Sequence, residues 1–124
     1  MKIPGNLAVI AALVILQFAP PAFSHTTLTE TIPGSDSVLA QSPAVVEIRF
    51  AHAARLTSVV LLGEDSQERR LDFTPGGSAV SFKLPEPDLG PGRNEIRWKA
   101  LSGDGHVISG SLIYTIKPDA ANTD

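Results

Sequence analysis

Three histidines and one acidic glycine turn hold the residues of this chain best suited to chemistry. His25 stands directly after Ala22-Phe23-Ser24, where small residues occupy the third and first positions before a leader-peptidase cut. Cleavage there makes His25 the first residue, with a free α-amine beside its imidazole. An α-amine of ordinary pKa, ~7.7–8.0, gives up its proton to a metal and then ligates it. His106 ends the turn Ser102-Gly103-Asp104-Gly105-His106. Asp104 and His106 are two apart, so an extended segment points both to the same side. Gly103 and Gly105 open φ values that other residues avoid and leave the turn uncrowded. An amine, two imidazoles and a carboxylate form a nitrogen- and oxygen-rich set without a soft donor, which suits tetragonal Cu(II). Zn(II) could use the imidazoles and the carboxylate, but the amine–imidazole chelate favours copper. The plain alternative is a polar turn at Asp104–His106 and an unstructured chain start at His25.

The segment before His25 sets the compartment. Lys2 supplies a positive start, and Leu7 to Phe18 is apolar except for Gln17. That stretch is shorter than the roughly 20 residues a membrane span needs, so it reads as a cleaved secretory signal. An uncleaved anchor is the alternative. The expected organisation is a signal peptide over 1–24, a β-sandwich domain over 25–117 and a flexible tail over 118–124. The expected location is the periplasm, with no membrane insertion after cleavage. Loss of Lys2 takes the formal charge from −3 to −4. A mildly acidic domain is a poor partner for nucleic acid or an anionic membrane surface, since both want a basic patch.

The chain has no cysteine, which removes thiolate ligands, thiol nucleophiles and disulfides. Its one methionine is Met1, so the exported chain has no sulfur donor. No nucleophile–base pair and no phosphate-binding glycine loop stands out, and the chain reads as a non-enzyme.

Short alternating runs between turn residues must position these groups. Thr27 to Ile32 places Leu28 and Ile32 on one face. Val45 to Phe50 turns Val46, Ile48 and Phe50 inward. Leu56 to Leu62 is almost continuously apolar, as in a strand buried on both faces. Arg70–Phe73 and Ala79–Leu84 flank Pro75-Gly76-Gly77 as a hairpin, with Val80, Phe82 and Leu84 on one face. Pro85 to Gly92 holds three prolines and two glycines and cannot be a strand interior. Asn94–Ala100 and Ile108–Ile116 alternate again. Seven strands and no helix in about 100 residues predict an all-β, seven-stranded Greek-key β-sandwich of immunoglobulin-like or cupredoxin-like type. A small closed barrel is the alternative. Phe50, Phe82, Trp98 and Tyr114 fall on inward faces, as core residues.

Two blocks of the chain carry a family resemblance. Asn94-Glu95-Ile96-Arg97-Trp98-Lys99 followed by Ser102-Gly103-Asp104-Gly105-His106 and Gly110 resembles the signature of the CopC family of periplasmic copper-binding proteins. Upstream, His25, Pro33-Gly34 and Ser42-Pro43 before Val45-Val46-Glu47-Ile48-Arg49-Phe50 match as well. The resemblance covers essentially the whole segment after the signal. It implies a Greek-key β-sandwich that binds one Cu(II) through the amine and imidazole of His25, Asp104 and His106. Some members also hold Cu(I) at a methionine-rich loop, for which this chain has no residues after Met1. Members often carry an acid shortly after the phenylalanine matched by Phe50, where this chain has His52. His52 is then a further ligand or hydrogen-bond partner, or else an exposed loop histidine.

The resulting expectation is a periplasmic, monomeric Cu(II) protein that buffers or delivers copper, beside a copper-transporting inner-membrane protein. Two rivals remain. One is an immunoglobulin-like interaction module that binds no metal. The other is a copper-dependent oxidative enzyme like the lytic polysaccharide monooxygenases, which also use an N-terminal histidine. A short chain with its aromatics in the core has no evident sugar platform for that second role.

Overall fold

The computed structural model describes residues 28–121, so His25 and the proposed signal lie outside the described residues. Seven strands follow in chain order: β1 (Leu28–Ile32), β2 (Ser37–Leu39), β3 (Val45–Leu62), β4 (Glu68–Arg70), β5 (Ser78–Pro85), β6 (Gly92–Ser102) and β7 (Val107–Ile116). A short 3-10 helix, Pro118–Ala121, occupies the start of the segment expected as a tail. Among the described residues no helix is long and apolar enough to cross a membrane.

Strand β3 organises the sandwich by changing partners along its length. Its first part, Val45 to Phe50, pairs antiparallel with β1 and with β5. From Ala54 to Leu62 it pairs antiparallel with β6, and its end also takes β4. β7 lines up against β6 over ten residue pairs, and β2 closes the edge in parallel with β7. Two sheets therefore share one strand. The Leu56–Leu62 run and the Val45–Phe50 run, which read as separate strands, are two halves of β3.

The core lies between those halves. Val46, Ile48 and Phe50 from β3 and Phe82 and Leu84 from β5 meet Ile96, Trp98, Leu112 and Tyr114, all buried. Phe50 sits edge-on to Trp98 at 5.3 Å and to Phe82 at 6.0 Å, and Phe73 is edge-on to Phe82 at 6.4 Å. Edge-to-face contacts suit the quadrupoles of the rings and lock them. Gly110 lies opposite Trp98, and a Cβ there would come within 2.7 Å of Cζ2 of the indole. The glycine is required by the ring packed over it.

Several face assignments differ from the sequence expectation. Ile32 is 43% exposed while Thr31 is half-buried, because the β1–β3 register shifts between Leu28 and Glu30. Val80 is 52% exposed, since the β3–β5 register shifts between Arg49 and Ala54. A bulge restarts the alternation at each place. Leu56–Leu62 is not buried on both faces: Leu56, Val59 and Leu61 are, whereas Val60 and Leu62 are half-buried on an open side. Phe73 and its neighbours do not form the expected hairpin strand. β4 ends at Arg70 and pairs with β3, leaving a single bridge from Thr74 to Lys83.

Candidate metal site

The Ser102–His106 turn joins β6 to β7, and its geometry follows from a few short-range bonds. Ser102 N donates to the His106 carbonyl at 2.8 Å, and Gly105 N donates back to the Ser102 carbonyl at 2.9 Å. Closing so tight a loop puts Gly105 at φ +89°, the left-handed region that favours glycine. Asp104 is bound inside this frame. Its Oδ1 accepts from the Ser102 hydroxyl and from His106 N, the latter at 3.3 Å. Its Oδ2 lies 3.1 Å from His106 Nδ1. Asp104 and His106 are thus in contact, as their two-residue spacing predicts, and both remain open, with side chains 45% and 65% exposed.

Ser102 is the residue that sequence reasoning left without a role. It is buried, and its hydroxyl holds the carboxylate while lying 3.1 Å from the His106 carbonyl oxygen. The signal was present: a serine two residues before an aspartate offers a hydroxyl to it in a tight turn. Together the Ser102 hydroxyl, the His106 imidazole and the His106 backbone N–H hold Asp104 far below the usual carboxylate range. The sign is that of a depressed acid. The hydrogen bonds favour the folded turn above the ordinary Asp pKa of ~3.9 and lose that effect as the pH falls toward the lowered value. Ser102→Ala should therefore move the Asp104 titration back up toward the ordinary carboxylate range in the metal-free protein. Carboxyl carbon NMR reads this directly, and an unmoved titration would remove Ser102 from this role.

A carboxylate on Nδ1 of a histidine fixes the ring and raises its basicity, the usual supporting arrangement for a metal-ligating imidazole. Asp104 binding a metal through Oδ2 would exchange its contact with Nδ1 for the ion. Among the described residues no group of three His, Asp or Glu side chains could hold a metal ion. The turn supplies a pair and needs further donors. His52 is exposed on β3, within a strand rather than a loop, at the point where β3 exchanges partners. Its strand neighbour Ala54 faces Ser102 across the β3–β6 pair, which places position 52 at the same end of the sandwich as the turn. Leu28, the first described residue, pairs with Phe50 in antiparallel sense and so also lies toward that end. His25 is three residues from Leu28, a reach of about 10 Å of extended chain.

A profile of the CopC domain matches residues 28–117. The chain belongs to the CopC family. Copper resistance protein C of Escherichia coli is 26% identical over 123 residues, spanning 90% of this chain and 97% of that one. Copper transport protein CutJ of Bacillus subtilis is 28% identical over 114 residues, 86% of this chain but 21% of CutJ. Among solved structures, CopC from Methylosinus trichosporium OB3b superposes with a TM-score of 0.63 at 22% identity, covering 75% of this chain and 94% of that chain. PcoC of Escherichia coli, a methionine-rich copper resistance protein, superposes with a TM-score of 0.55 at 25% identity, covering 76% and 100%. The shared fold is the CopC β-sandwich. CopC proteins are not enzymes, which sets aside the oxidative-enzyme rival.

Proposed function

We propose that this CopC-family chain is an exported, periplasmic Cu(II)-binding protein that buffers or delivers copper in copper resistance. The copper ion is cargo, one per chain. Its ligands are the amine and imidazole of His25, the imidazole of His106 and the carboxylate of Asp104, with His52 as a further ligand or hydrogen-bond partner. The observation that carries this reading is convergence at one end of the sandwich. The exposed Asp104–His106 pair, the partner switch of β3 at His52 and the first described residue, Leu28, all lie there. The relatives named for copper resistance and copper transport support the copper assignment. The donor set supports the oxidation state, since it is nitrogen and oxygen only. With Met1 as the sole methionine, this chain lacks the thioether supply that the methionine-rich PcoC has. Asp104, held as a carboxylate, brings negative charge to the dication wherever the nitrogen donors are deprotonated.

The test is a Cu(II) titration against a competing chelator, on protein whose first residue is shown by mass to be His25. One tight equivalent is expected. Asp104→Ala should cost about 10–100-fold in affinity, as loss of a ligand or of a ligand's supporting carboxylate does. His106→Ala should cost more than Asp104→Ala. His52→Ala decides whether that side chain participates. Weak or substoichiometric binding by the unaltered protein would reduce the likeness to one of fold.

A further inference from the structure

We propose that the open face of the larger sheet is a cationic surface that adsorbs to anionic phospholipid bilayers. The register assigns this face. Lys99 lies opposite Ser58 on β3 and Ser109 on β7, while Arg97 lies opposite Val60 and Ser111. Arg70 on β4 faces Val60 from the other side. These residues line one shallow groove across four strands. Arg93 and Arg55 alternate with buried neighbours on β6 and β3 and extend the same side.

Among the described residues, five of the nine Lys and Arg thus share one face, whereas of the twelve Asp and Glu only Glu68 and Glu95 do. The face is net +3 on a chain that is net −3. Glu95 already serves Arg97 at 3.1 Å and Arg93 at 3.9 Å. Arg55, Arg70 and Lys99 have no such short acid contact in the register around them. The low net charge had argued against an anionic membrane surface for want of a basic patch; the fold builds that patch by segregating charge.

The shape of the charge selects the partner. Cations are spread over three strands, β3, β4 and β6, with short serines of β3 and β7 beside them, as suits an extended charged plane. Trp98, Tyr114, Phe50 and Phe82 are all buried, so this face offers no aromatic anchor of the kind that dominates protein interfaces or that stacks on bases. Arg forks match phosphate oxygens two at a time. At the end of the face, beside the Ser102–His106 turn, Leu101 and Val107 form an exposed cross-strand pair, 37% and 68% accessible. A basic surface with a small apolar prong is the pairing of signals that holds a peripheral protein at a lipid interface. Adsorption in this sense lays the sheet face against the headgroups. It does not depend on copper.

The test uses metal-free protein starting at His25, which retains every described residue and hence the whole core, without the apolar segment that would itself enter lipid. Co-sedimentation is measured with vesicles of phosphatidylcholine containing phosphatidylglycerol and with phosphatidylcholine alone. The protein should partition to the anionic vesicles only, and less as salt is raised. Arg70→Glu with Lys99→Glu should lower that partition at least about tenfold. The milder Arg70→Gln with Lys99→Gln should lower it in part, with circular dichroism confirming the fold of both. Lys83→Glu, at an exposed position of β5 away from this face, should bind as the unaltered protein does. Equal binding to neutral vesicles, full binding by the reversed variant, or an equal loss in Lys83→Glu would overturn the assignment. So would absence from anionic vesicles at low salt, including the case where immobilised poly-glutamate retains the protein and points to an acidic protein partner.

Discussion

A single residue left in front of His25 is expected to weaken Cu(II) binding by orders of magnitude, whereas a tag added after Asp124 should leave it unchanged. In the proposed site the amine of His25 is a ligand only when it is the chain terminus. An added residue converts it to an amide, whose nitrogen lone pair is delocalised into the carbonyl and ligates only if the metal first displaces the amide proton. Two things are lost together: one nitrogen donor, and the chelate ring that makes the amine and imidazole bind as one unit. What remains is the His25 imidazole, no longer part of that chelate, and the Asp104–His106 pair, which alone is not a group of three donors among the described residues. The fold is not at stake, because β1 begins at Leu28 and its register with Phe50 does not involve the terminus. The comparison is therefore clean: identical circular dichroism, competing-chelator titrations on both proteins, and N-termini verified by mass. Equal affinities would exclude the amine and leave the imidazole of His25 with His106, Asp104 and His52 to account for binding.

The geometry of the turn was legible in the sequence because it is local. A serine, an aspartate and a histidine spaced by glycines can close only a few ways, and Gly105 takes the positive φ that the pattern suggests. The fold class was legible for the same reason, in the alternation of Val45–Phe50, Asn94–Ala100 and Ile108–Ile116. Features set by non-local pairing were not. Ala51-His52-Ala53-Ala54-Arg55 contains no turn residue, and that absence was the available sign that β3 runs unbroken from Val45 to Leu62. The alternation lapses there because β3 leaves one set of partners for another, which no local pattern encodes. β2 was missed because three residues held in parallel against β7 have no period to detect. The misassigned faces of Ile32 and Val80 each sit beside a register shift. Composition likewise hides the cationic face, since −3 for the whole chain is silent on where the charges lie.

Trp98→Ala is expected to destabilise the domain by about 3–5 kcal/mol, the range for removing a large buried aromatic. Trp98 is 5% exposed and is locked edge-on against Phe50, which itself packs on Phe82. Loss of the ring opens a cavity that neighbours fixed in two sheets cannot collapse to fill. Its indole Nε1 is buried and has no hydrogen-bond partner among the described residues, and Trp98→Phe should cost far less than Trp98→Ala because it keeps most of the ring. Gly110→Ala should cost about 1–3 kcal/mol by overpacking, because its Cβ would meet Cζ2 at 2.7 Å and Cε2 at 2.9 Å of a ring with no room to move. The two sites share one contact, so their effects should not add. In the Trp98→Ala background the added methyl of Gly110→Ala meets empty space, and its cost should vanish or reverse. Urea unfolding of the four proteins in this cycle reads the coupling. An additive result would mean that the indole does not dictate the glycine, and that Gly110 answers to some other demand of the β6–β7 pair on which the Ser102–His106 turn is built.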